Sequence, residues 1–312
     1  MIEKNLKILP RFSDSASFLY IEHAVVERQD SAIVLYREEG AISVPAAGIN
    51  TCILGPGTRI THGAIVVLSE AGASIVWSGS DALKFFAAGF GKTRSATGLL
   101  KQVYAFATEH SRLAVVRRLY NYRFSEDIPD TLSLQQIRGR EGARVRDAYA
   151  LASRTFGVEW HGRNYSRDSW SSSDPVNRAL STGASCLYGI CHAGIVARGF
   201  SPAIGFIHQG KQLSFVYDIA DLYKVEVLIP AAFKAAAEGA ENIESRTRKL
   251  LREHLHKNKI LDRIVADLDR LFDQVENDSM DDSLIEQDDA PGTLWDPDGN
   301  VIGGKNYDSN DS

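Results

Sequence analysis

The stretch ASIVWSGSDALKFFAAGFGKTRSATGLLKQVYAFATEH, residues 73–110, decides the fold, because the hydrophobic period changes inside it. Its first part holds two short β-type runs, ASIVW (73–77) and ALKFF (82–86), separated by Gly, Ser and Asp, residues that favour turns. After Gly89 to Lys92 the apolar residues recur at helical spacing instead. Toward the N-terminus the β-type pattern continues as FLYIEH (18–23), AVVER (24–28), AIVLYR (32–37), AISVP (41–45) and TCIL (51–54). One short helix, near His62 to Glu70, interrupts it. Toward the C-terminus the helical pattern persists almost to Val275, with Ser133 as the cap of a helix running to about Phe156. Asp174 followed by Pro175 starts another helix, ending at Gly199.

These signals predict an α+β chain: a small N-terminal β-domain (1–88), a linker (89–94), a larger all-helical domain (95–276) and a tail (277–312). So many short strands leave sheet edges to be covered, which predicts that the β-domain mediates dimerisation. The tail is acidic and poor in apolar residues, so it is expected to be disordered and to serve a partner rather than the chemistry. Within the linker, Gly91, Lys92 and Thr93 imitate a phosphate-binding loop, but Phe86 stands where that pattern needs its first Gly.

The formal charge of −5 hides an asymmetry. Residues 273–312 hold twelve of the 40 acidic residues and one of the 35 basic ones, so positions 1–272 are net basic by six. A basic body permits a polyanionic partner. No apolar run approaches the roughly 20 residues of a membrane helix, and the N-terminus MIEKNLKILPRF lacks a secretory pattern, so the chain reads as cytoplasmic with no membrane partner. Cys52, Cys186 and Cys191 lie in apolar surroundings without CxxC spacing and read as core thiols.

Two segments could carry chemistry. In RGREGARVR (138–146), Glu141 falls on the same helical stripe as Leu134, Ile137, Val145, Ala148 and Ala152. A carboxylate facing a core needs a cation or several donors, either a functional partner or a buried ion pair to Arg138, Arg144 or Arg146. In IGFIHQGK (204–211), His208 follows an apolar run and precedes Gly210, a position that suits a structural histidine equally well. SFVYDIADLYK (214–224) then places Asp218 and Asp221 on one face of a helix beside the stripe of Phe215, Ile219 and Leu222, with Lys224 one residue triplet further on. A solvated DxxD face is the alternative. Together Glu, His and Asp form a donor set suited to Mg²⁺ or Mn²⁺ with positions left for water and phosphate oxygens. Such an ion stabilises charge on a phosphodiester and activates a hydroxyl, so no Ser, Cys or Tyr nucleophile is needed.

In order along the chain, LGPGTRITH (54–62), RGREGARVR, SCLYGICHAGIVARGFSPAIGFIHQGK (185–211) and LSFVYDIADLYK (213–224) resemble the CRISPR-associated adaptation integrase family, particularly its subtype I-E branch. The resemblance covers residues 15–275 and departs from about Pro291 onward. It implies Glu141, His208 and Asp221 as metal ligands for Mg²⁺ or Mn²⁺, with Asp218 the nearby acidic residue of the catalytic set. It also implies Arg59, Arg138, Arg146, Lys211 and Lys224 as DNA contacts, and Tyr165 and Tyr188 as residues that recognise or process DNA ends. The implied assembly is a homodimer, two copies of which are bridged by a small ferredoxin-like partner to hold a protospacer duplex whose 3′-hydroxyl attacks the CRISPR repeat. The residues alone also permit a free-standing metal-dependent nuclease or a non-catalytic DNA-binding scaffold.

Overall fold

The computed structural model describes residues 19–49, 51–79, 85–89, 96–124, 126–163, 174–272, 293–294 and 301–302. It shows an N-terminal β region followed by a mostly helical part. Eight short strands make two sheets. In the first, β1 (Leu19–Ile21), β5 (Thr51–Leu54) and β7 (Ser74–Ser78) run parallel, and β8 (Phe85–Gly89) closes the edge antiparallel to β7. The second is β4-β3-β2-β6, in which β2 (Val25–Gln29), β3 (Ala32–Arg37) and β4 (Gly40–Pro45) form an antiparallel meander. There β6 (Arg59–Ile60) lies parallel to β2.

The β core forms where Val26, Ile33 and Leu35 of the meander meet Ile21, Cys52, Leu54 and Ile75 of the other sheet. Helix α1 (His62–Glu70) adds Ala64, Val67 and Leu68, and its N-terminus is capped by the Thr61 hydroxyl, which accepts from the amide of Ala64. All four residues of β5 are buried, as expected of a parallel strand covered on both faces. Its second face is covered from the helical part, where Ala193 packs on Ile53 and Val76.

The helices are α2 (Thr97–Ala107), α3 (Glu109–Asn121), α4 (Leu134–Phe156), α5 (Pro175–Ala197), α6 (Ser214–Tyr223), α7 (Ile229–Ala237), α8 (Ile243–Lys257) and α9 (Ile260–Phe272). A single π-helical turn, Lys224–Leu228, joins α6 to α7. The two predicted starts hold in detail. Ser133 and Gln136 form a reciprocal capping box on α4, which ends at Gly157 in the left-handed conformation (φ 64°). Asp174 caps α5 by accepting from the amide of Asn177, with Pro175 in the first turn. Helix α5 is long and apolar enough to cross a membrane, but 72% of its apolar window is buried inside the protein, which makes it the core helix. It carries Cys186 and Cys191. All three cysteines are buried and free, and burial pushes the Cys52 and Cys186 thiols up to about 12, which keeps them protonated.

Some boundaries differ from the sequence reading. The strand expected at 82–86 is described at Phe85–Gly89, where it pairs with β7, and residues 80–84 lie outside the described residues. Helix α9 is described as far as Phe272, whose ring stacks on Phe200 with centroids 4.9 Å apart, and its expected end near Val275 lies outside the described residues. In the tail, Thr293–Leu294 pairs antiparallel with Val301–Ile302, and its other residues lie outside the described residues. Linker residues 90–94 lie outside the described residues.

A candidate metal centre

The site is assembled from α3, α4, α6 and the loop that precedes α6. That loop must bend sharply: a Cβ on Gly205 would lie 2.3 Å from the carbonyl oxygen of His208, so no other residue fits there. Asp218 holds the bend. It is 0% exposed, and its Oδ2 accepts from the amides of Phe206 (2.6 Å) and Ile207 (3.1 Å). Its Oδ1 accepts from the amide of His208 (2.9 Å) and meets the imidazole Nδ1 of His208 at 2.7 Å. Three backbone donors offset the burial of this carboxylate. A second clamp comes from α2. The buried side chain of Gln102 donates to the carbonyls of Ser201 (2.9 Å) and Ile204 (2.8 Å) and accepts from the amide of Ser201 (2.7 Å).

His208 is thereby fixed through one ring nitrogen. With Nδ1 on Asp218, Nε2 is the nitrogen left to face a ligand, the second-sphere arrangement found around metal-bound histidines. The hydrogen bond from Asp218 is the main influence on the imidazole and raises its pKa above the ordinary histidine value. Burial opposes this, while the charges of Asp221 and Arg123 also reach the ring.

The two remaining acids meet on one cation. Arg123, just past the end of α3, has a side chain only 3% exposed, and its Nη1 lies 3.5 Å from Oε1 of Glu141 and 3.6 Å from Oδ2 of Asp221. Its Nη2 donates to the backbone oxygen of Asp218 (3.4 Å), while its buried Nε has no hydrogen-bond partner. Glu141 is also gripped by Arg144, one turn along α4, through Nε to Oε2 (2.8 Å) and Nη2 to Oε1 (2.9 Å). Asp221 has Lys224 beside it, Nζ to Oδ1 at 3.9 Å.

Among the described residues no three His, Cys, Asp or Glu side chains yet share one coordination shell. Arginines compensate the carboxylates instead. The donor set still fits a hard divalent cation: two carboxylates drawn to one point of positive charge, and an imidazole with its tautomer fixed beside them. Of the ion-pair partners the sequence offered Glu141, Arg144 is the one that reaches it. Arg138 and Arg146 are exposed on the same helix. Asp218 and Asp221 share a helix but not an environment. The first is fully buried and contacts the His208 ring, and the second faces Arg123 and partial solvent. That is not a solvated DxxD face.

Of the other expected residues, Lys211 is exposed on the loop between His208 and α6, and Arg59 is exposed on β6 in the β region. Tyr188 is half-buried on α5 and meets Tyr217 edge-on at 5.0 Å, and Tyr217 in turn meets His208 at 5.8 Å. Burial first, then the charge of Asp221, pushes the Tyr188 phenol up to about 12, so it is protonated near neutral pH. Tyr165 lies outside the described residues. Sequence reasoning missed Arg123, Gln102 and Gly205. Arg123 had one signal, a charge immediately following the apolar end of α3 at Leu119 and Tyr120.

Comparison with known proteins identifies the family. A profile described as CRISPR associated protein Cas1 matches residues 122–245, a span that includes Arg123, Glu141, His208, Asp218 and Asp221. The CRISPR-associated endonuclease Cas1 2 of Thermus thermophilus is 51% identical over 308 residues, covering 99% of this chain and 95% of that protein. The CRISPR-associated endonuclease Cas1 of Escherichia coli K12 is 36% identical, covering 81% of this chain and 83% of its own. A solved structure described as the TtCas1-DNA complex superposes with a TM-score of 0.77 at 52% identity, over 86% of this chain and all of that one. With relatives this similar over nearly its whole length, the chain belongs to the Cas1 family of CRISPR-associated endonucleases.

Proposed function

We propose that this protein is a Mg²⁺- or Mn²⁺-dependent DNA endonuclease and integrase of the subtype I-E branch, which inserts protospacer DNA into a CRISPR array in the cytoplasm. The observation that carries the proposal is the pairing of two carboxylates, Glu141 and Asp221, on one buried cation beside a histidine whose Nδ1 is locked by Asp218. Glu141, Asp221 and Nε2 of His208 would hold the ion. When bound, that ion supplies charge stabilisation on the scissile phosphate and lowers the pKa of the attacking hydroxyl.

The chain's own residues set up the remainder. Asp218 orients the imidazole and Gln102 holds the loop that carries it, so the orientation of His208 does not depend on the ion. Arg123 limits the repulsion between the two carboxylates from beneath. Lys224 and Lys211 flank the site as cations for DNA phosphates, and Arg138, Arg146 and Arg59 extend that role over exposed surface. Tyr188 is protonated near neutral pH and, like Tyr165, serves at DNA ends, while a DNA 3′-hydroxyl is the nucleophile. The assembly is a homodimer joined through the 1–88 β-domain, working with a small ferredoxin-like partner that the 277–312 tail engages. That a similar protein has been solved with DNA supports the DNA reading.

The decisive assay combines the full chain, its small partner, a short duplex and a repeat-containing target, with and without Mn²⁺ or Mg²⁺. Joined products that require the ion, and that disappear in Glu141→Gln, are expected. Cleaved but never joined products would favour a nuclease in which water replaces the 3′-hydroxyl. DNA binding with no ion-dependent product would leave only a scaffold.

A further inference from the structure

Glu141 and Asp221 are compensated by arginines of opposite character. Arg123 is buried, comes from another element and touches both carboxylates from the interior, so it cannot leave without disturbing the core. Arg144 sits on the same helix as Glu141, is 23% exposed, and rests its guanidinium over the Phe124 ring at 5.8 Å. A change of side-chain rotamer would carry it into solvent. Yet it makes the tighter contact, a two-pronged grip at 2.8 and 2.9 Å on both oxygens of Glu141. A ligand carboxylate held in this way cannot give an ion its full charge, and a cation bound there would face a guanidinium at close range.

We propose that Arg144 is a displaceable counter-ion: it neutralises Glu141 in the metal-free protein and is expelled when a divalent cation is captured, while Arg123 remains as the fixed charge. The inference rests on the reading of Glu141, His208 and Asp221 as metal ligands. It explains why two arginines attend one glutamate. A core carboxylate must be neutralised while the chain is metal-free, but a permanent partner on both oxygens would bar the ion. An i, i+3 partner on the same helix serves the first need and can still withdraw.

The test measures Mn²⁺ affinity of the full-length protein by electron paramagnetic resonance at low ionic strength, with thermal melts alongside. Arg144→Gln removes the competitor and keeps Glu141, so its Mn²⁺ dissociation constant should fall at least about tenfold, with a larger metal-induced rise in melting temperature than the wild type shows. Arg144→Lys keeps a charge without the fork and should bind with intermediate affinity. Arg144→Gln binding Mn²⁺ no more tightly than the wild type, while Glu141→Gln loses binding, would overturn the counter-ion role and leave the ligand assignment standing. Arg144→Lys matching the wild type would do the same should Arg144→Gln not fold. Unchanged Mn²⁺ binding in both Glu141→Gln and His208→Ala would instead remove the metal-centre reading beneath it.

Discussion

The two halves of the site are held by different physics. On one side, His208 is fixed by a buried carboxylate that is itself fixed by three backbone amides. On the other, Glu141 and Asp221 are held by side-chain cations, partly in reach of solvent. Backbone amides cannot be exchanged for anything else, whereas a guanidinium can be exchanged for another cation. The contrast separates a rigid half from an adjustable one: the imidazole is presented in one orientation, whereas the acids are neutralised by side chains.

The largest expected effect tests whether both halves serve one reaction. Glu141→Gln and His208→Ala should each lower strand joining by about a hundredfold or more at limiting Mn²⁺, since metal stabilisation of the transition state is worth several kcal/mol and about 1.4 kcal/mol is tenfold. DNA affinity should be nearly unchanged, because it arises from many dispersed phosphate contacts. A variant in either half that joined DNA at the wild-type rate would dissolve the shared centre. Asp218→Ala comes next. It orphans buried amides, and by analogy with breaking other buried charged networks should cost about 3–5 kcal/mol in chemical denaturation. If it proved harmless, the rigid half would not be rigid.

Arg123→Met should cost less, about 1–3 kcal/mol, because the acids it leaves behind keep some access to water. A loss equal to that of Asp218→Ala would erase the difference between the halves. Smaller again, Arg138→Ala or Lys211→Ala should weaken DNA binding uniformly across sequences, reduce the slope of affinity against salt by about one, and leave stability untouched. The smallest effect is a titration of the metal-free protein. The folded-state pKa of His208 is raised by Asp218, so the ion pair stabilises the fold fully below the ordinary histidine pKa. That contribution is lost as pH rises through the raised value. An NMR titration of the His208 ring should therefore give a midpoint above that of an unperturbed histidine, and an ordinary or lower midpoint would contradict the Asp218 contact.

How much of this was legible in the sequence follows from range. The β-to-helix switch, the α4 capping box and the Asp174–Pro175 start are local signals, and the structure reproduces them. Glu141 on an apolar stripe was legible as a problem needing a cation, and Arg144, three residues away, as one of its solutions. What stayed hidden is long-range. Arg123 meets Asp221 from a distant part of the chain, and Gln102 reaches the loop at Ser201 and Ile204 from α2. No periodicity reports such pairings. The unlike fates of Asp218 and Asp221 were hidden for the same reason, since spacing gives a shared face but not what folds over each half of it.

Gln102 has a mechanical meaning beyond holding a loop. It stands on the first helix after the β region, and its amide is tied to the segment that ends in His208. A displacement of α2 would arrive at the imidazole as a shift of the backbone that carries it. Helix α2 and the loop that carries the imidazole are thereby coupled, with one amide side chain acting as a tie rod between them.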